Sequence, residues 1–244
     1  MRSVWPPSAD IEPDLEELYA YPAGLTRAWV QVNFTTSADG AAEIDELSAG
    51  LSHAADREVF LLGRDLADVV LVGAGTARAE NYRGVRASEK RLERRARLGL
   101  GDVPPIAVVT RSADLDPAAP LFTDTHVPPI VLTTSSAPEH RIGALTEAGA
   151  EILIAGDDDV ELPYALDLLA ERGLKRVDCE GGPALFAGLI AADRVDQLCL
   201  TIAPLLAGGG AARIADGTRA AAPRPLELAS ILVEDGFTLL RYRR

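Results

Sequence analysis

The chain has 244 residues and is 48% hydrophobic, which is enough to bury the core of one large α/β domain or of two small ones. Its formal net charge of −13 argues against a nucleic-acid-binding surface, because neutralising phosphates requires clustered lysine and arginine side chains. The sequence has no apolar run near the roughly 20 residues of a membrane helix, no apolar stretch of signal-peptide length at its N-terminus, and too few cysteines for a disulfide framework. We therefore expect a cytoplasmic protein that has no nucleic-acid or membrane partner.

In chain order, the sequence predicts an arm followed by alternating strands and helices. Residues 1–25 are rich in proline and acidic residues and are predicted to form an N-terminal arm with a short helix over Asp14–Tyr19. Strands are predicted over Trp29–Thr35, Val69–Val72, Ile106–Val109, Ile130–Leu132, Ile152–Ile154, Arg176–Cys179, Gln197–Ile202, Leu226–Val233 and Phe237–Tyr242. Helices are predicted from Ser52 to Leu66, from Ser88 to Leu98, and over Pro138–Ala148, Leu162–Arg172 and Pro183–Ala191.

The first long helix combines a capping serine with an apolar face. Ser52 precedes the helical periodicity and is predicted to accept a hydrogen bond as the N-cap residue. The buried face is predicted to carry Ala55, Val59, Leu62, Gly63 and Leu66. The next helix is rich in arginine, and we interpret its basic run as a solvated face rather than a binding patch.

The order of these segments predicts the fold class. Val69–Val72 is wholly apolar, as expected for a strand of a parallel sheet with helices on both faces. Asp235-Gly236 lies between two alternating runs, which is a strong signal for an antiparallel hairpin. We therefore expect an α/β fold with one domain over residues 26–244, a mostly parallel central sheet and an antiparallel C-terminal hairpin. Ligands of such sheets bind beyond the carboxyl ends of the strands, so the loops after the strands are the candidate sites.

Two glycine-containing loops follow predicted strands. Gly73-Ala74-Gly75-Thr76 offers a hydroxyl and a backbone that a ligand can approach closely, although a tight turn explains it equally well. Glu180-Gly181-Gly182-Pro183 leads into a helix whose unpaired N–H groups suit a diphosphate. Glu180 would then point from the strand end at the bound ligand. The alternative for this loop is a glycine turn beside a solvated glutamate.

Two further loops carry charged side chains. Thr110-Arg111-Ser112 places an arginine beside two hydroxyls, which could bind a phosphate monoester such as the 2′-phosphate that distinguishes NADPH from NADH. An ordinary surface arginine is the alternative. Asp39-Gly40 predicts a turn, and its carboxylate could also transfer a proton or orient a substrate.

The remaining polar and glycine signals predict no additional site. Gly208-Gly209-Gly210 could lie near a cofactor, but we interpret it as a segment that lets the chain pack tightly. His53, His126 and His140 are scattered without paired ligand spacing, so no metal site is predicted.

Taken in order, these loops resemble one family, the reductase domain of the bifunctional deaminase-reductase of riboflavin biosynthesis. The resemblance covers about residues 28 to 243. It is carried by Asn33-Phe34, Ser37-Ala38-Asp39-Gly40, the run from Asp68 to Thr76 with Glu80, the run from Glu180 to Leu185, Val195-Asp196-Gln197, and Ala203-Pro204 with Gly208-Gly209-Gly210. It implies a dihydrofolate-reductase-like fold, NADPH as cofactor and a homodimer. The zinc deaminase motifs are absent from this sequence, so a stand-alone reductase is expected.

The resemblance also implies roles for individual residues. Those matching positions beside the cofactor are Gly50, Gly73, Gly75, Thr76, Glu80, Thr110 and Arg111, together with the helix start at Gly181, Gly182, Pro183, Ala184, Leu185 and Phe186. Those matching positions at the substrate are Asn33, Ser48, Arg64 and Arg86. Glu180 matches a position near the reacting ribose and is, with Asp39, a candidate catalytic residue.

Several residues depart from the family pattern. Asn33 stands where many members have lysine, Ala38 where leucine or valine is usual, and Gly50 where an aromatic residue is usual. Glu80-Asn81-Tyr82 replaces a common Asp-Asp-Pro. These departures bear on the substrate rather than on the fold.

The resemblance implies reduction of a phosphorylated ribosylamino-pyrimidine, 5-amino-6-(5-phosphoribosylamino)uracil or a related compound, by NADPH. The nicotinamide would face Asn33, Asp39, Thr76 and Glu180, and hydride would reach C1′ of the ring-opened ribose. Two alternatives stay open. One is a dihydrofolate or pterin reductase on the same fold, with Asp39 facing the pterin ring. The other is a nucleotide-binding module without catalysis.

Overall fold

A computed structural model of the chain describes residues 1–7, 13–44, 47–217 and 222–244. The strands of these residues are β1 (Arg2–Trp5), β2 (Trp29–Ser37), β3 (Val69–Gly73), β4 (Ile106–Val109), β5 (Ile130–Thr133), β6 (Glu151–Ile154), β7 (Arg176–Cys179), β8 (Gln197–Ala203), β9 (Glu227–Glu234) and β10 (Phe237–Arg243). The α-helices are α1 (Leu15–Tyr19), α2 (Ala54–Leu66), α3 (Ala74–Ala79), α4 (Glu89–Arg97), α5 (Pro120–Thr123), α6 (Glu139–Glu147), α7 (Leu162–Glu171) and α8 (Pro183–Ala191). A short 3₁₀ helix spans Ser48–Leu51. No described helix is both long enough and apolar enough to span a lipid bilayer.

The α/β fold class is confirmed, and the contacts divide the chain into two compact units. Unit 1 comprises Met1–Pro22, Val30–Gly63 and Glu180–Arg244. Unit 2 comprises Ala23–Trp29 and Arg64–Cys179. This division is finer than the single domain over residues 26–244 that the sequence predicts.

Unit 1 contains the antiparallel part of the fold. Its strands lie in the order β1-β9-β10-β8-β2, with β10 antiparallel to both β8 and β9 and with β2 parallel to β8. The turn between β9 and β10 has positive φ at both Asp235 (48°) and Gly236 (84°), as a two-residue hairpin turn requires. The predicted C-terminal hairpin is therefore confirmed.

Two regular elements lie among the described residues of the predicted N-terminal arm. The strand β1, which the sequence did not predict, pairs antiparallel with β9 and places Ser3 opposite Leu232. Helix α1 lies where it was predicted, and the Asp14 carboxylate caps it by accepting the N–H groups of Glu16 and Glu17 at 2.9 and 3.1 Å.

The end of α1 is anchored to β10 through aromatic and cationic side chains. The Tyr19 ring is 98% buried, and the Arg241 guanidinium lies 5.7 Å from its centroid. Burial raises the pKa of the Tyr19 hydroxyl far above its usual range, so it stays neutral. A cation over a buried aromatic face is stabilising, so α1 is fixed to the sheet of unit 1.

Unit 2 contains the parallel part of the fold. Its strands lie in the order β7-β3-β4-β5-β6, and each neighbouring pair is parallel. Residues Val69 to Val72 are at most 1% exposed, as expected for a strand whose two faces are both covered. The core packs alternate residues of these strands, such as Val70, Ile106 and Val131, against Phe122 and Leu145.

Helix α2 begins at Ala54, one residue later than a cap at Ser52 would place it, and its cap differs. The Ser52 hydroxyl donates to the Asp56 carboxylate at 3.0 Å instead of accepting a helix N–H group. The residue before the helix is His53, whose Nδ1 accepts the N–H of Ala55 at 3.3 Å and whose carbonyl accepts the N–H of Arg57. The prediction of Ser52 as N-cap is therefore wrong. The predicted apolar face is confirmed, because Ala55, Val59, Leu62, Gly63 and Leu66 are all buried.

Two arginines of helix α4, Arg91 and Arg95, are buried, so the interpretation of the whole basic run as a solvated face is wrong. Arg91 and Arg94 both pair with the Asp65 carboxylate. Arg95 is 2% exposed and donates to the carbonyl oxygens of Arg64 at 3.1 Å and Ala67 at 2.7 Å, as well as to that of Gly101. Burial lowers the pKa of Arg95 to about 10, so the guanidinium stays charged at neutral pH. These contacts satisfy carbonyls where α2 ends, which identifies the helix as structural.

Replacing Arg95 by methionine should lower the free energy of unfolding by about 3 kcal/mol, because buried carbonyl groups lose a charged donor. Urea denaturation of the variant measures this. Lys90→Met is the matched control, since Lys90 lies exposed on the same helix and methionine is an equally good helix former. Equal unfolding midpoints for the two variants would show that the Arg95 contacts contribute nothing.

Candidate active site

Helix α8 of unit 1 begins with a glycine cap. Gly182 is the N-cap residue and Pro183 the first helical residue, so the first turn has neither a capping side chain nor an N–H at its first position. The remaining N–H groups of that turn and the positive end of the helix dipole are suited to an anion. The predicted helix start is confirmed, and Ala184, Leu185 and Phe186 continue it.

Gly181 is required by the packing of this loop. Its φ is +91°, and a Cβ atom there would lie 2.9 Å from Cζ of Phe34. The Phe34 ring also contacts the Phe186 ring, with centroids 5.2 Å apart. Strand β2 and the start of α8 are thus in close contact within unit 1, and only glycine fits between them.

Two polar residues of unit 1 are withdrawn from water. Glu180 is 7% exposed, so the alternative of a solvated glutamate is excluded. Asn33 is 8% exposed, and its Nδ2 atom has no hydrogen-bond partner among the described residues. An unsatisfied buried amide costs about 1–3 kcal/mol. Such a group points to a ligand that supplies the missing acceptor.

Asp39 lies in an exposed turn and is engaged with a second loop. Its carboxylate accepts hydrogen bonds from the Ser37 hydroxyl, from the N–H of Ala207 at 3.1 Å and from the N–H of Gly208 at 2.8 Å. The Ser37 hydroxyl and these two backbone bonds lower the pKa of Asp39 to about 2. The group is therefore an ionised acceptor at neutral pH, which argues against its acting as a proton donor.

Ser48 and Gly50 lie in the short 3₁₀ helix of unit 1, and both are exposed. A Cβ atom on Gly50 would lie 3.1 Å from Cβ of Ile44, so a larger residue would need that side chain to shift. The predicted ligand contacts of both residues stay predictions.

In unit 2, the segment predicted as a glycine loop is the beginning of a helix. Gly73 is the N-cap of α3, with φ −78°, and Gly75 and Thr76 lie in its first turn. Gly75 has open space where a side chain would be, so a ligand could approach the backbone there. Glu80 is the C-cap residue, and its N–H is bonded to the Thr76 carbonyl at 2.9 Å. The prediction of an irregular loop is wrong, because three small residues and Thr76 continue directly into helix.

Three backbone carbonyls of the loop after β4 are held by side-chain donors. Thr134 Oγ1 donates to the Arg111 carbonyl at 2.9 Å, Arg141 Nη1 to the Ser112 carbonyl at 3.3 Å, and Arg78 Nη1 to the Asp114 carbonyl at 2.7 Å. Ala113 is completely buried at a φ of +50°. The loop is therefore rigid, and no local sequence pattern marks its two supporting arginines, Arg78 and Arg141.

Arg111 projects from this rigid loop. Its side chain is exposed, and its guanidinium makes no hydrogen bond or ion pair with any residue that the structure describes. Thr110, beside it, is buried and its N–H is bonded to the Leu132 carbonyl at 3.0 Å. An unpaired guanidinium on a fixed backbone is a preorganised group for an anion.

The two arginines predicted to hold a substrate phosphate have protein partners. Arg86 Nη2 lies 2.6 Å from the Asp124 carboxylate and is exposed, while the Arg64 guanidinium lies 5.6 Å from the Tyr82 ring centroid. Gly84 beside Arg86 is needed because a Cβ there would lie 2.5 Å from Cα of Thr125. A phosphate at Arg86 would have to compete with Asp124.

Within the described residues, no group of three or more histidine, cysteine, aspartate or glutamate side chains is placed to hold a metal ion.

Comparison with known proteins identifies the family. The profile of the RibD C-terminal domain matches residues 28–235. The 2,5-diamino-6-ribosylamino-4(3H)-pyrimidinone 5′-phosphate reductase of Methanothermobacter thermautotrophicus is 31% identical over 78% of this chain and 85% of its own, and the enzyme of that name from Archaeoglobus fulgidus is 29% identical over 75% and 83%. A pyrimidine reductase-like protein from Corynebacterium diphtheriae has the same fold, with a TM-score of 0.82, 26% identity, and coverage of 94% of this chain and 97% of that chain. The chain belongs to the RibD C-terminal domain family.

Proposed function

We propose that this protein is an NADPH-dependent reductase of riboflavin biosynthesis that reduces a phosphorylated ribosylamino-pyrimidine to its ribityl form. The observation that carries the proposal is the match to the RibD C-terminal domain across most of the chain, joined to relatives that are named as reductases of such a compound. A homodimer is part of the proposal and rests on the same family membership.

The preference for NADPH over NADH is supported by the loop after β4. NADPH differs from NADH by one phosphate monoester, and Arg111 offers a guanidinium without a partner among the described residues, on a loop held at three carbonyls by side-chain donors. Binding the 2′-phosphate there requires no rearrangement of the backbone, which limits the entropic cost.

The diphosphate is assigned to the start of α8. Gly182 supplies no capping side chain, so the first-turn N–H groups are open to an anion, and Gly181 admits the Phe34 ring that fixes the loop. Thr76 and Gly75 of α3 and residue Glu80 are further proposed cofactor contacts, because the open backbone at Gly75 allows close approach.

The substrate is assigned to Asn33, Ser48, Arg64 and Arg86. Asn33 carries an unsatisfied buried N–H₂ group, which matches the carbonyl oxygen of a pyrimidinone ring. Arg64 and Arg86 are the proposed partners of the 5′-phosphate. Ser48 adds an exposed hydroxyl.

Bound NADPH supplies the hydride, and this chain supplies position and proton handling. Of the two candidate carboxylates, we assign the proton-handling role to Glu180, which is buried beside the start of α8. Asp39 is ionised and occupied by three donors, so we propose no proton transfer by it. Asn33 would orient the substrate by donating a hydrogen bond from Nδ2 to the carbonyl oxygen of the pyrimidine ring.

The first test is loss of NADPH absorbance by the purified protein with three compounds in parallel. They are the ribosylamino-pyrimidine phosphate before deamination, the same compound after deamination, and dihydrofolate. We expect turnover with at least one of the pyrimidines and none with dihydrofolate. Turnover of dihydrofolate alone would identify a pterin reductase and contradict the proposal. No loss of NADPH absorbance with any of the three compounds would also contradict it.

Arg111→Ala should raise the KM for NADPH about 10- to 100-fold, because a charge-assisted contact contributes about 1.5–3 kcal/mol. The KM for NADH should change less than about twofold, because NADH lacks the phosphate. Steady-state kinetics with both cofactors measure the selectivity. Arg172→Ala, which removes an exposed ion pair with Glu151 in the same unit, is the control and should leave both constants unchanged. If the KM values for NADPH and NADH rise equally, the assignment of the 2′-phosphate to Arg111 is wrong.

Asn33→Leu should stabilise the protein by about 1 kcal/mol, because an apolar side chain of similar volume replaces an unsatisfied buried amide. The variant should also abolish turnover of the pyrimidine, because the proposed donor to the ring is lost. Thermal unfolding and the NADPH assay on one preparation test both halves of the statement. A variant that is less stable and still active would show that Asn33 has a structural role. Asn33→Leu should also leave the affinity for NADPH alone within about twofold of the parent, because the proposed contact is to the substrate.

A further inference from the structure

The turn after β2 and the loop after β8 are joined by a ladder of hydrogen bonds. The Ala38 N–H donates to the Leu205 carbonyl at 2.9 Å, and the Ala42 N–H donates to the Ala212 carbonyl at 2.9 Å. Between these two contacts the Asp39 carboxylate accepts the N–H groups of both Ala207 and Gly208. We call residues 205–212 the latch loop.

Asp39 is itself fixed in direction by its own turn. The Ser37 hydroxyl donates to the Asp39 carboxylate and also accepts the N–H of Ala41 at 2.9 Å. The Ser37 N–H is bonded to the Ala41 carbonyl at 2.9 Å, which closes the turn. The turn therefore presents the Asp39 carboxylate to two successive backbone N–H groups of the latch loop. Hydrogen bonds to an ionised acceptor are stronger than those to a neutral one.

The chain beyond the latch loop continues to the start of α8. The N–H of Asp216 donates to the Pro183 carbonyl at 3.2 Å. Gly208 and Gly210 have φ values of +73° and +36°, so between these anchors the backbone follows a path that favours glycine. The segment that Asp39 holds at one end thus touches, at its other end, the first residue of the helix to which the diphosphate is assigned.

We propose that Asp39 is a positioning residue, which holds the latch loop between the end of β2 and the start of α8 and so sets the cofactor-binding geometry of unit 1. The inference rests on the proposed function and deepens it, because it assigns to Asp39 a task other than proton transfer. The lowered pKa of Asp39, about 2, agrees with it, since the carboxylate stays ionised and the latch stays closed at any pH at which a reductase is assayed.

Three variants test the proposal. Asp39→Ala removes both acceptor oxygens, Asp39→Asn keeps one of them, and Asp193→Asn is the matched control. Asp193 is also an aspartate of unit 1 whose pKa is lowered by hydrogen bonding, in its case to Arg244, but its carboxylate pairs with Arg224 and Arg244 and not with the latch loop.

We expect Asp39→Ala to raise the KM for NADPH about tenfold, to change kcat less, and to keep the shape of the pH profile of kcat/KM. Asp39→Asn should fall between the alanine variant and the parent, and Asp193→Asn should match the parent. A residue that transfers a proton would behave differently: its asparagine and alanine variants would be equally inactive, and one limb of the pH profile would disappear. That result would overturn the proposal, as would an alanine variant that matches the parent in all constants.

Amide hydrogen exchange separates failure of this inference from failure of the proposed function. In Asp39→Ala, the Ala207 and Gly208 amides should exchange about tenfold faster than in the parent, while amides of β8 stay protected. This readout needs no substrate. If the parent protein has no reductase activity but these amides respond as expected, the proposed function fails and the latch stands. If they do not respond, the latch itself is wrong.

Discussion

Backbone polar groups at the ends of helices and strands lose their regular hydrogen-bond partners, and the rest of this structure depends on which side chains replace those partners. Side chains replace them in three places. Arg95 collects carbonyl groups around the end of α2, Thr134, Arg141 and Arg78 hold the loop after β4, and Asp39 holds the latch loop. Each of these places lies where regular secondary structure stops.

Hydrogen bonds to these backbone groups make the loops rigid. The polar side chains that have no partner among the described residues then mark the candidate ligand sites. Among the described residues, the Arg111 guanidinium has no partner although three carbonyls of its loop do, and the Nδ2 atom of Asn33 has no acceptor. The Asn33 amide is unfavourable without an acceptor because it is buried, whereas the exposed Arg111 guanidinium is solvated and available to an anion. A phosphorylated cofactor and a pyrimidinone carbonyl would supply partners to Arg111 and Asn33. Preorganisation of this kind lowers the entropic cost of binding.

Features fixed by short-range chemistry could be predicted from the sequence, whereas contacts between distant residues could not. The apolar run of β3, the Asp235-Gly236 hairpin and the start of α8 depend on neighbouring residues and were predicted correctly. The three small residues before Thr76 were mistaken for a loop because glycine signals a turn and a helix cap alike. The arginines of α4 were misread because their partner, Asp65, lies 26 and 29 residues away. The backbone donors to Asp39, Ala207 and Gly208, lie 168 and 169 residues away. From the sequence, Asp39 could therefore be identified only as a turn residue or as a catalytic candidate.

The central claim is that this chain transfers hydride from NADPH to the sugar carbon of a phosphorylated ribosylamino-pyrimidine. Reduction with NADPH deuterated at the transferring position, followed by NMR of the product, tests it most directly. The account predicts a single deuterium at C1′ of a ribityl chain, with an intact pyrimidine ring. Deuterium on the ring, or consumption of NADPH without deuterium in the product, would contradict it.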